Sequence, residues 1–276
     1  MAVCEVCPRG CDLKEGQTGF CRARACLNGK VESINYGKIT SIALDPIEKK
    51  PLYHFYPKSM ILSVGSFGCN LRCPFCQNHR ISMAGTDEVP CLEMTPEELV
   101  EKALMLKDMC AGNLGVAFTY NEPFIGFEFV RDTAVLLNQA NLKTVLVTNG
   151  FVSLKCLEEL LPLTDAMNID LKGFSQSYYD YVGGKLEDVK RTIERAAQKC
   201  HVELTTLIVP TKNDSIADME RQAKWIASIS DEIPLHISRY FPCYQSTVPA
   251  TPVETIYSLC DAAKKHLKYV YAGNCG

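Results

Sequence analysis

From residue 60 onward, short apolar runs alternate with longer stretches whose apolar residues recur at three- and four-residue spacing. The short runs predict buried strands, and the longer stretches predict amphipathic helices. The predicted strands are MILSVGSF (60–67), GVAFTY (115–120), KTVLVTNG (143–150), DAMNIDLKG (165–173), HVELTTLIVP (201–210), IPLHISRYF (233–241) and LKYVYAG (267–273). The predicted helices occupy 95–110, 123–140, 153–162, 185–200, 215–229 and 252–266. This alternation favours right-handed crossovers and a parallel sheet. Six strand–helix units are too few to close an eightfold barrel, so the sequence predicts an α/β fold with an open, partial (β/α)6 barrel.

The N-terminal residues lack this alternation and carry a cluster of cysteines, which is part of a total of fifteen in the chain. So short a segment buries little core without a bound metal or a docking surface. We therefore predict a small Cys-rich metal-binding module and linker at 1–58, and the partial barrel at 59–276.

Charge and hydropathy restrict the partners that we expect. The formal net charge of −3 gives no indication of a nucleic-acid partner. No stretch approaches the roughly 18 apolar residues that span a bilayer, so we expect no membrane partner. The opening MAVCEVCPRGC lacks the apolar segment of a secretory signal, so we expect a cytoplasmic protein. Thiols stay reduced in that compartment, and clustered cysteines there indicate metal ligands.

Three cysteines lie on one short loop directly after the first predicted strand. In SFGCNLRCPFCQNH (66–79), Cys69, Cys73 and Cys76 are spaced by four and three residues. Iron–sulfur clusters prefer thiolate ligands, and four cysteines would saturate a 4Fe–4S cluster. Three cysteines leave one iron open for a substrate, as catalytic metal sites do. The alternative is a structural zinc site with His79 as its fourth ligand.

The C-x3-C-x2-C loop after the first strand of a partial barrel resembles the signature of the radical S-adenosylmethionine (SAM) superfamily. The resemblance implies an oxidoreductase-type enzyme that works under anaerobic conditions. In it, a 4Fe–4S cluster binds SAM and cleaves it reductively to a 5′-deoxyadenosyl radical, which abstracts hydrogen from a substrate. The resemblance also places Phe75 close to the adenine.

The TYNEP segment (119–123) takes the place of the superfamily's glycine-glycine-glutamate motif. The resemblance implies that Asn121 and Glu122 bind the amino group of SAM, and a carboxylate forms a strong hydrogen bond with an ammonium. The alternative for Glu122 is a helix-start residue that complements the helix dipole.

Two further strand ends resemble glycyl-radical-enzyme activases. Residues 148–150 (TNG) match their Asp-Thr-Asn-Gly segment, with Val147 in place of the Asp, and residues 170–172 match their Asp-Leu-Lys. In the activases, two aspartates at these strand ends help to hold a monovalent cation. This chain has only one of the two, so both binding and loss of that cation stay open as alternatives. The resemblance assigns Thr148, Asn149, Asp170 and Lys172 to SAM contact. Asn149 also suits a turn.

His236 and Ser238 alternate on the sixth predicted strand, so both side chains should face the barrel interior. We interpret His236 as a ribose contact, with a buried structural histidine as the alternative.

A narrower resemblance rests on CPRGC, DPIEKKPLYHFYP (45–57), GCNLRCPFCQN, TYNEP and HISRYFP. Together they resemble AmmeMemoRadiSam-system radical SAM proteins, relatives of pyruvate formate-lyase activase. That family implies Memo-type and AMMECR-type partner proteins and a reductant such as flavodoxin or ferredoxin. Family members usually continue past YAGN into a segment with two more cysteines, whereas this chain ends at Cys275-Gly276.

The N-terminal cysteines Cys4, Cys7, Cys11 and Cys21 form a second candidate metal site. Four thiolates close a site completely, so this one would be structural or electron-relaying. Zinc and an auxiliary 4Fe–4S cluster both fit, unligated thiols remain an alternative, and Cys26 is a substitute ligand.

Three hypotheses on function follow. The first is activation or modification of a protein substrate, as activases perform. The second is modification of a small molecule or RNA by the same chemistry. The third is a non-catalytic metal-binding scaffold. Segment 45–57 is the candidate for partner contact, or it packs across the barrel mouth.

Overall fold

The computed structural model of the protein describes residues 1–109 and 112–276. Cys110, at the end of the first predicted helix, lies outside the described residues. The helices are α1 (His79–Ser82), α2 (Pro96–Lys107), α3 (Phe127–Gln139), α4 (Leu154–Leu160), α5 (Gln176–Val182), α6 (Leu186–Ala196), α7 (Ile216–Ile229) and α8 (Val253–Lys264). The strands are β1 (Ala2–Val3), β2 (Asp12–Leu13), β3 (Arg24–Leu27), β4 (Lys30–Ser33), β5 (Lys38–Ile39), β6 (Ser41–Pro46), β7 (Met60–Gly65), β8 (Leu92–Glu93), β9 (Gly115–Phe118), β10 (Lys143–Thr148), β11 (Ala166–Asp170), β12 (His201–Ile208), β13 (Leu235–Arg239) and β14 (Val270–Gly273).

The main sheet has the strand order β14-β13-β12-β11-β10-β9-β7-β6 among the described residues. Seven of its strands, from β7 to β14, run parallel. Helices fill the six crossovers between them, and each parallel strand pairs with the parallel strand that follows it in the chain. The two-residue β8 lies between β7 and β9 in the sequence but pairs with β5 in a separate small sheet. The predicted α/β fold with an open, partial barrel is confirmed, because a parallel sheet with covering helices and two free edges is an open barrel.

The edge strand β6 was missed by the sequence patterns. It pairs antiparallel with β7 over six residues, from Ser41 opposite Gly65 to Pro46 opposite Met60. Its residues are half-buried rather than fully buried, so the apolar run that marks a parallel strand is absent. The division of the chain at residue 58 stays a prediction, and one strand that precedes it belongs to the main sheet.

Segment 45–57 lies at the amino end of the barrel, opposite the strand ends where ligands bind in such folds. Ile47, Leu52 and Phe55 are buried against the early residues of the strands. The Asn168 side chain donates a hydrogen bond to the Pro51 carbonyl at 2.9 Å, and the His54 amide donates to Glu203 at 2.7 Å. The segment therefore forms a floor of the barrel instead of crossing its mouth.

The N-terminal residues dock on helix α3. Arg24, which is almost fully buried, donates two hydrogen bonds to the Glu128 carboxylate at 2.8 and 2.6 Å and one to the Ile125 carbonyl at 3.0 Å. A bidentate Arg–carboxylate pair fixes orientation as well as distance. The contact holds the small strands β3 and β4 beside the barrel.

Candidate active site

A cavity of about 290 Å³ opens at the carboxyl ends of the parallel strands. All seven parallel strands contribute to its wall, either with their last residues or with the loop that follows. Its lining includes Cys69, Cys73, Phe75, Cys76, Asn121, Glu122, Thr148, Asn149, Asp170 and Lys172. The fold thus brings together the three-cysteine loop and seven of the eight residues that the sequence assigned to SAM, and His236 is the exception.

The three thiols of this loop are free, and those of Cys69 and Cys76 lie within reach of hydrogen-bond donors. Cys69 Sγ accepts from the Leu71 amide at 3.4 Å and from Asn149 Nδ2 at 3.6 Å. Cys76 Sγ lies 3.1 Å from the Ser82 hydroxyl. Burial raises the pKa of Cys73 to about 11. Half-buried thiols beside N–H and O–H donors, as at Cys69 and Cys76, form a good environment for thiolates that bind a metal.

The Tyr178 hydroxyl, near Cys73 but outside the residues that line the cavity, is a second candidate contact for a bound group. It is buried and lacks a hydrogen-bond partner within the part of the chain that the structure describes. Burial raises its pKa, and the nearby Cys73 charge raises it further. A buried hydroxyl normally finds a partner, and cluster sulfur is an acceptor that would suit it. The donor set and this orphaned hydroxyl both fit a 4Fe–4S cluster.

Asn121 holds the start of the loop that carries the thiols. Its amide nitrogen donates to the carbonyls of Phe67 and Gly68 at 3.3 and 3.1 Å, and its oxygen accepts from the Ser66 amide at 2.9 Å. All three bonds lie at the start of the cysteine loop. Asn121 therefore positions the loop, a use of this side chain that the sequence did not indicate.

Glu122 is buried, and three donors surround its carboxylate. The Thr148 hydroxyl, the Asn149 amide and the Phe124 amide donate to it at 2.7, 2.8 and 3.1 Å. Burial nevertheless raises the pKa of Glu122 to about 7. A carboxylate has about four acceptor positions, so one remains for a ligand. Glu122 also caps the turn at 123–126, as its alternative interpretation stated.

Asn149 takes part in a buried network rather than pointing freely into the cavity. Its Nδ2 donates to Asn70 Oδ1 at 2.9 Å, and its Oδ1 accepts from the Phe151 amide at 2.9 Å. Its contact with Cys69 Sγ makes it a link between strand β10 and the cysteine loop. Gly150, at φ +70°, completes the turn.

Asp170 and Lys172 form an ion pair on the cavity wall at 2.6 Å. Burial lowers the pKa of Lys172, but the charges of Asp170 and Cys73 outweigh this effect and raise it, so the ammonium is charged. Phe75 lies nearby with its ring stacked on Tyr178, at 6.5 Å between centroids, and edge-on to Tyr240 at 6.1 Å. The wall thus combines a fixed charge pair with an aromatic surface.

His236 lies outside the cavity lining. It is buried, and its Nε2 is 2.6 Å from the Glu203 carboxylate, while its ring packs on Tyr53 and Tyr271. Its side chain lies deeper in the barrel than Ser238, which does line the cavity. The structure therefore places His236 as its alternative interpretation stated, as a buried histidine. His79, the ligand of the zinc alternative, also lies outside the lining and stacks on Tyr244 at 4.6 Å.

Several cavity residues escaped the sequence analysis. Thr205 lies on β12 and Asn274 directly follows β14, and only their position towards the carboxyl strand ends could have indicated them. Ser238, which the sequence predicted to face the barrel interior, also lines the cavity. Tyr120 lines the cavity with φ +70°, a conformation that bulky residues rarely adopt. Its hydroxyl donates to Asp45 at 2.9 Å. Such strain often marks functional positions.

The four N-terminal cysteines are also free thiols. The Cys4 amide donates to the Cys11 carbonyl at 2.9 Å. Burial raises the pKa of Cys7 to about 11, and the charges of Cys4 and Cys21 act on it in the same direction. Cys26 is apart from them, with its thiol 3.9 Å from Glu15. Among residues 1–109 and 112–276, no group of three or more His, Cys, Asp or Glu side chains is arranged so that it could hold a single metal ion. This holds for both cysteine groups.

Comparisons with known proteins agree with this geometry. The family model described as the radical SAM superfamily matches residues 63–226. An uncharacterised protein of Methanocaldococcus jannaschii is 44% identical over 275 residues, which cover 98% of this chain and 80% of that protein. The pyruvate formate-lyase-activating enzyme of Clostridium pasteurianum is 32% identical over 170 residues, 59% of this chain and 67% of that enzyme. The structure of a radical SAM methyltransferase from Sphaerobacter thermophilus superposes with a TM-score of 0.62 at 16% identity, covering 79% of this chain and 67% of that one. That last likeness concerns the fold alone.

None of the helices in residues 1–109 and 112–276 combines the length and the hydropathy that a bilayer-spanning segment requires.

Proposed function

Because this chain belongs to the radical SAM superfamily of enzymes, we propose that it binds a 4Fe–4S cluster through Cys69, Cys73 and Cys76 and activates a protein substrate. When bound, the cluster and SAM supply a 5′-deoxyadenosyl radical that abstracts hydrogen. The observation that carries the proposal is the cavity itself, where three free thiols face polar groups from the other strand ends. Three ligands leave one iron for SAM.

The protein's own residues bind and orient SAM in this proposal. Glu122 accepts a hydrogen bond from the amino group, and Lys172 attracts the carboxylate of the methionine part. Phe75 offers its face to the adenine. Asn121 and Asn149 hold the cysteine loop in place through the bonds described above. Holding reactants in fixed orientation is the main contribution of a protein to cofactor chemistry.

The protein substrate is supported by the relative from Clostridium pasteurianum, whose name is that of an activating enzyme. An open barrel with its mouth at the strand ends leaves room for a loop of a partner. We further propose Memo-type and AMMECR-type proteins as partners, flavodoxin or ferredoxin as the electron donor, and a second metal centre, iron–sulfur or zinc, at the N-terminal cysteines.

Anaerobic reconstitution tests the reaction. The protein is loaded with iron and sulfide, mixed with dithionite and SAM, and assayed for 5′-deoxyadenosine. We expect product from the native chain and from Cys91→Ala, a control outside the cavity. Cys73→Ala should form none. An intact cluster that binds SAM without forming product would refute the proposal in favour of a non-catalytic scaffold.

The substrate is tested separately with deuterated partner proteins. Transfer of deuterium from a Memo-type or AMMECR-type protein into 5′-deoxyadenosine would support hydrogen abstraction from that partner. Product formation without deuterium transfer from any protein would point to a small molecule or RNA instead.

A further inference from the structure

The N-terminal cysteines touch the three-cysteine loop through the backbone. The Cys69 amide donates a hydrogen bond to the Cys21 carbonyl at 3.2 Å. Gly68, at φ +85°, makes this approach possible, because a Cβ at that position would collide with the same carbonyl. A ligand candidate of one site is therefore one hydrogen bond away from a ligand of the other.

Two arginines lie where the two cysteine groups meet. The guanidinium groups of both arginines pack on the ring of Phe20. The guanidinium carbon lies 3.5 Å from the ring centroid for Arg9 and 4.1 Å for Arg72. Arg72 donates to the Cys69 carbonyl at 2.8 Å, and Arg9 Nε donates to the Asn70 carbonyl at 2.8 Å. Both cations are thus anchored to the loop of the SAM cavity.

Arg9 also lies beside the N-terminal cysteines, because it stands between Cys7 and Cys11 in the chain. The Asn70 carbonyl that accepts from its Nε directly follows Cys69. One cation therefore lies next to residues of both cysteine groups. Net charge is one of the factors that set the potential of an iron–sulfur cluster.

We propose that Cys4, Cys7, Cys11 and Cys21 hold a second iron–sulfur cluster that passes electrons to the cluster in the cavity. This inference rests on the proposed function. One electron from a low-potential protein donor reduces the second cluster. The same electron then reduces the cavity cluster, and the second cluster returns to its oxidised state.

The arrangement suits a relay better than a structural zinc site. Zinc has no redox chemistry, so a zinc site gains nothing from a short connection to the cavity loop. Positive charge beside a cluster with four thiolates stabilises its reduced form and raises its potential. Arg9 is the residue we assign to this task, as a positioning residue that touches no substrate.

The test uses the full chain with the cavity ligands removed. In the triple variant C69A/C73A/C76A, reconstituted with iron and sulfide, we expect about four irons per chain, against about eight in the native protein. We expect an electron paramagnetic resonance signal of a reduced cluster that SAM does not change. Adding Arg9→Gln should move its midpoint potential to more negative values, and Arg191→Gln, on an exposed helix face, should not.

The outcomes separate the two proposals. Zinc, or no metal, in a triple variant that remains folded by circular dichroism would overturn the second cluster. An unchanged potential in Arg9→Gln would overturn the role of that arginine. A second cluster in a native protein that forms no 5′-deoxyadenosine with dithionite would refute the proposed function and leave this inference standing.

The relay has a test of its own. Cys7→Ser should lose product formation with flavodoxin while keeping it with dithionite, and equal losses with both donors would contradict the relay.

Discussion

Replacing Glu122 by Gln separates a ligand-binding role from a structural one. Burial raises the pKa of Glu122 to about 7 from 4.5. Its contribution to stability is therefore complete below pH 4.5 and is lost as pH rises through 7. At pH 8, where Glu122 is ionised, the shift lowers the free energy of unfolding by about 3 kcal/mol. Gln removes this penalty but leaves the Asn149 amide facing another donor, at a cost of roughly 1–3 kcal/mol.

The two effects on stability oppose each other, so we expect the free energy of unfolding of Glu122→Gln to change little at pH 8. SAM binding should respond differently, because a hydrogen bond to a charged group is worth about 1.5–3 kcal/mol. At about 1.4 kcal/mol per factor of ten, the Kd of SAM should rise roughly 10- to 100-fold. Anaerobic equilibrium dialysis of the reconstituted protein measures it, and urea unfolding measures stability.

Glu128→Gln is the matched control. Glu128 accepts from Arg24 outside the cavity, and this ion pair lowers its pKa although burial raises it. The control should lose stability and bind SAM normally. If Glu122→Gln lost stability as the control does and bound SAM as the native protein does, Glu122 would be only the cap of the 123–126 turn.

Three further changes test other parts of the structure. Gly68→Ala should lower the iron content after reconstitution, because its Cβ collides with the Cys21 carbonyl; an unchanged iron content would show that the two loops can separate freely. Tyr178→Phe should leave stability nearly unchanged and shift the potential of the cavity cluster to more negative values, since it removes a free donor; an identical potential in redox titration would exclude a bond to the cluster. Glu203→Gln should lower the free energy of unfolding by about 3 kcal/mol at pH 7. Burial raises the pKa of Glu203, but hydrogen bonds from His201 and His236 outweigh burial and lower the pKa to about 2. That stability is present above pH 4.5 and is lost as pH falls towards 2, so parallel urea-unfolding profiles of native and variant protein across this range would contradict the assignment.

The parallel strands could be predicted because each one is a short apolar run between turn residues, as in β9 and β10. Helix α5 was missed because its seven residues, QSYYDYV, are too few to show a helical period. The antiparallel β6 was missed for a similar reason, since a half-buried edge strand has no continuous apolar run.

Within the site, the sequence predicted which strand ends meet but not what each side chain does there. Asn121 and Asn149 were assigned to SAM, and the structure uses both amides to hold the cysteine loop. Those bonds go to backbone atoms and to residues far away in the chain, such as Asn70, so no local pattern shows them. His236 has the right strand and the right face, but its depth in the barrel depends on strand register, which the sequence does not fix.

The floor that Ile47, Leu52 and Phe55 build beneath the strands affects how ligands reach the cavity. Because side chains and the bond from Asn168 to Pro51 fill that end, ligands do not enter the barrel from the amino ends of the strands. A substrate that covers the mouth would trap the nucleoside beneath it, so release of the spent nucleoside would have to wait for the substrate to depart.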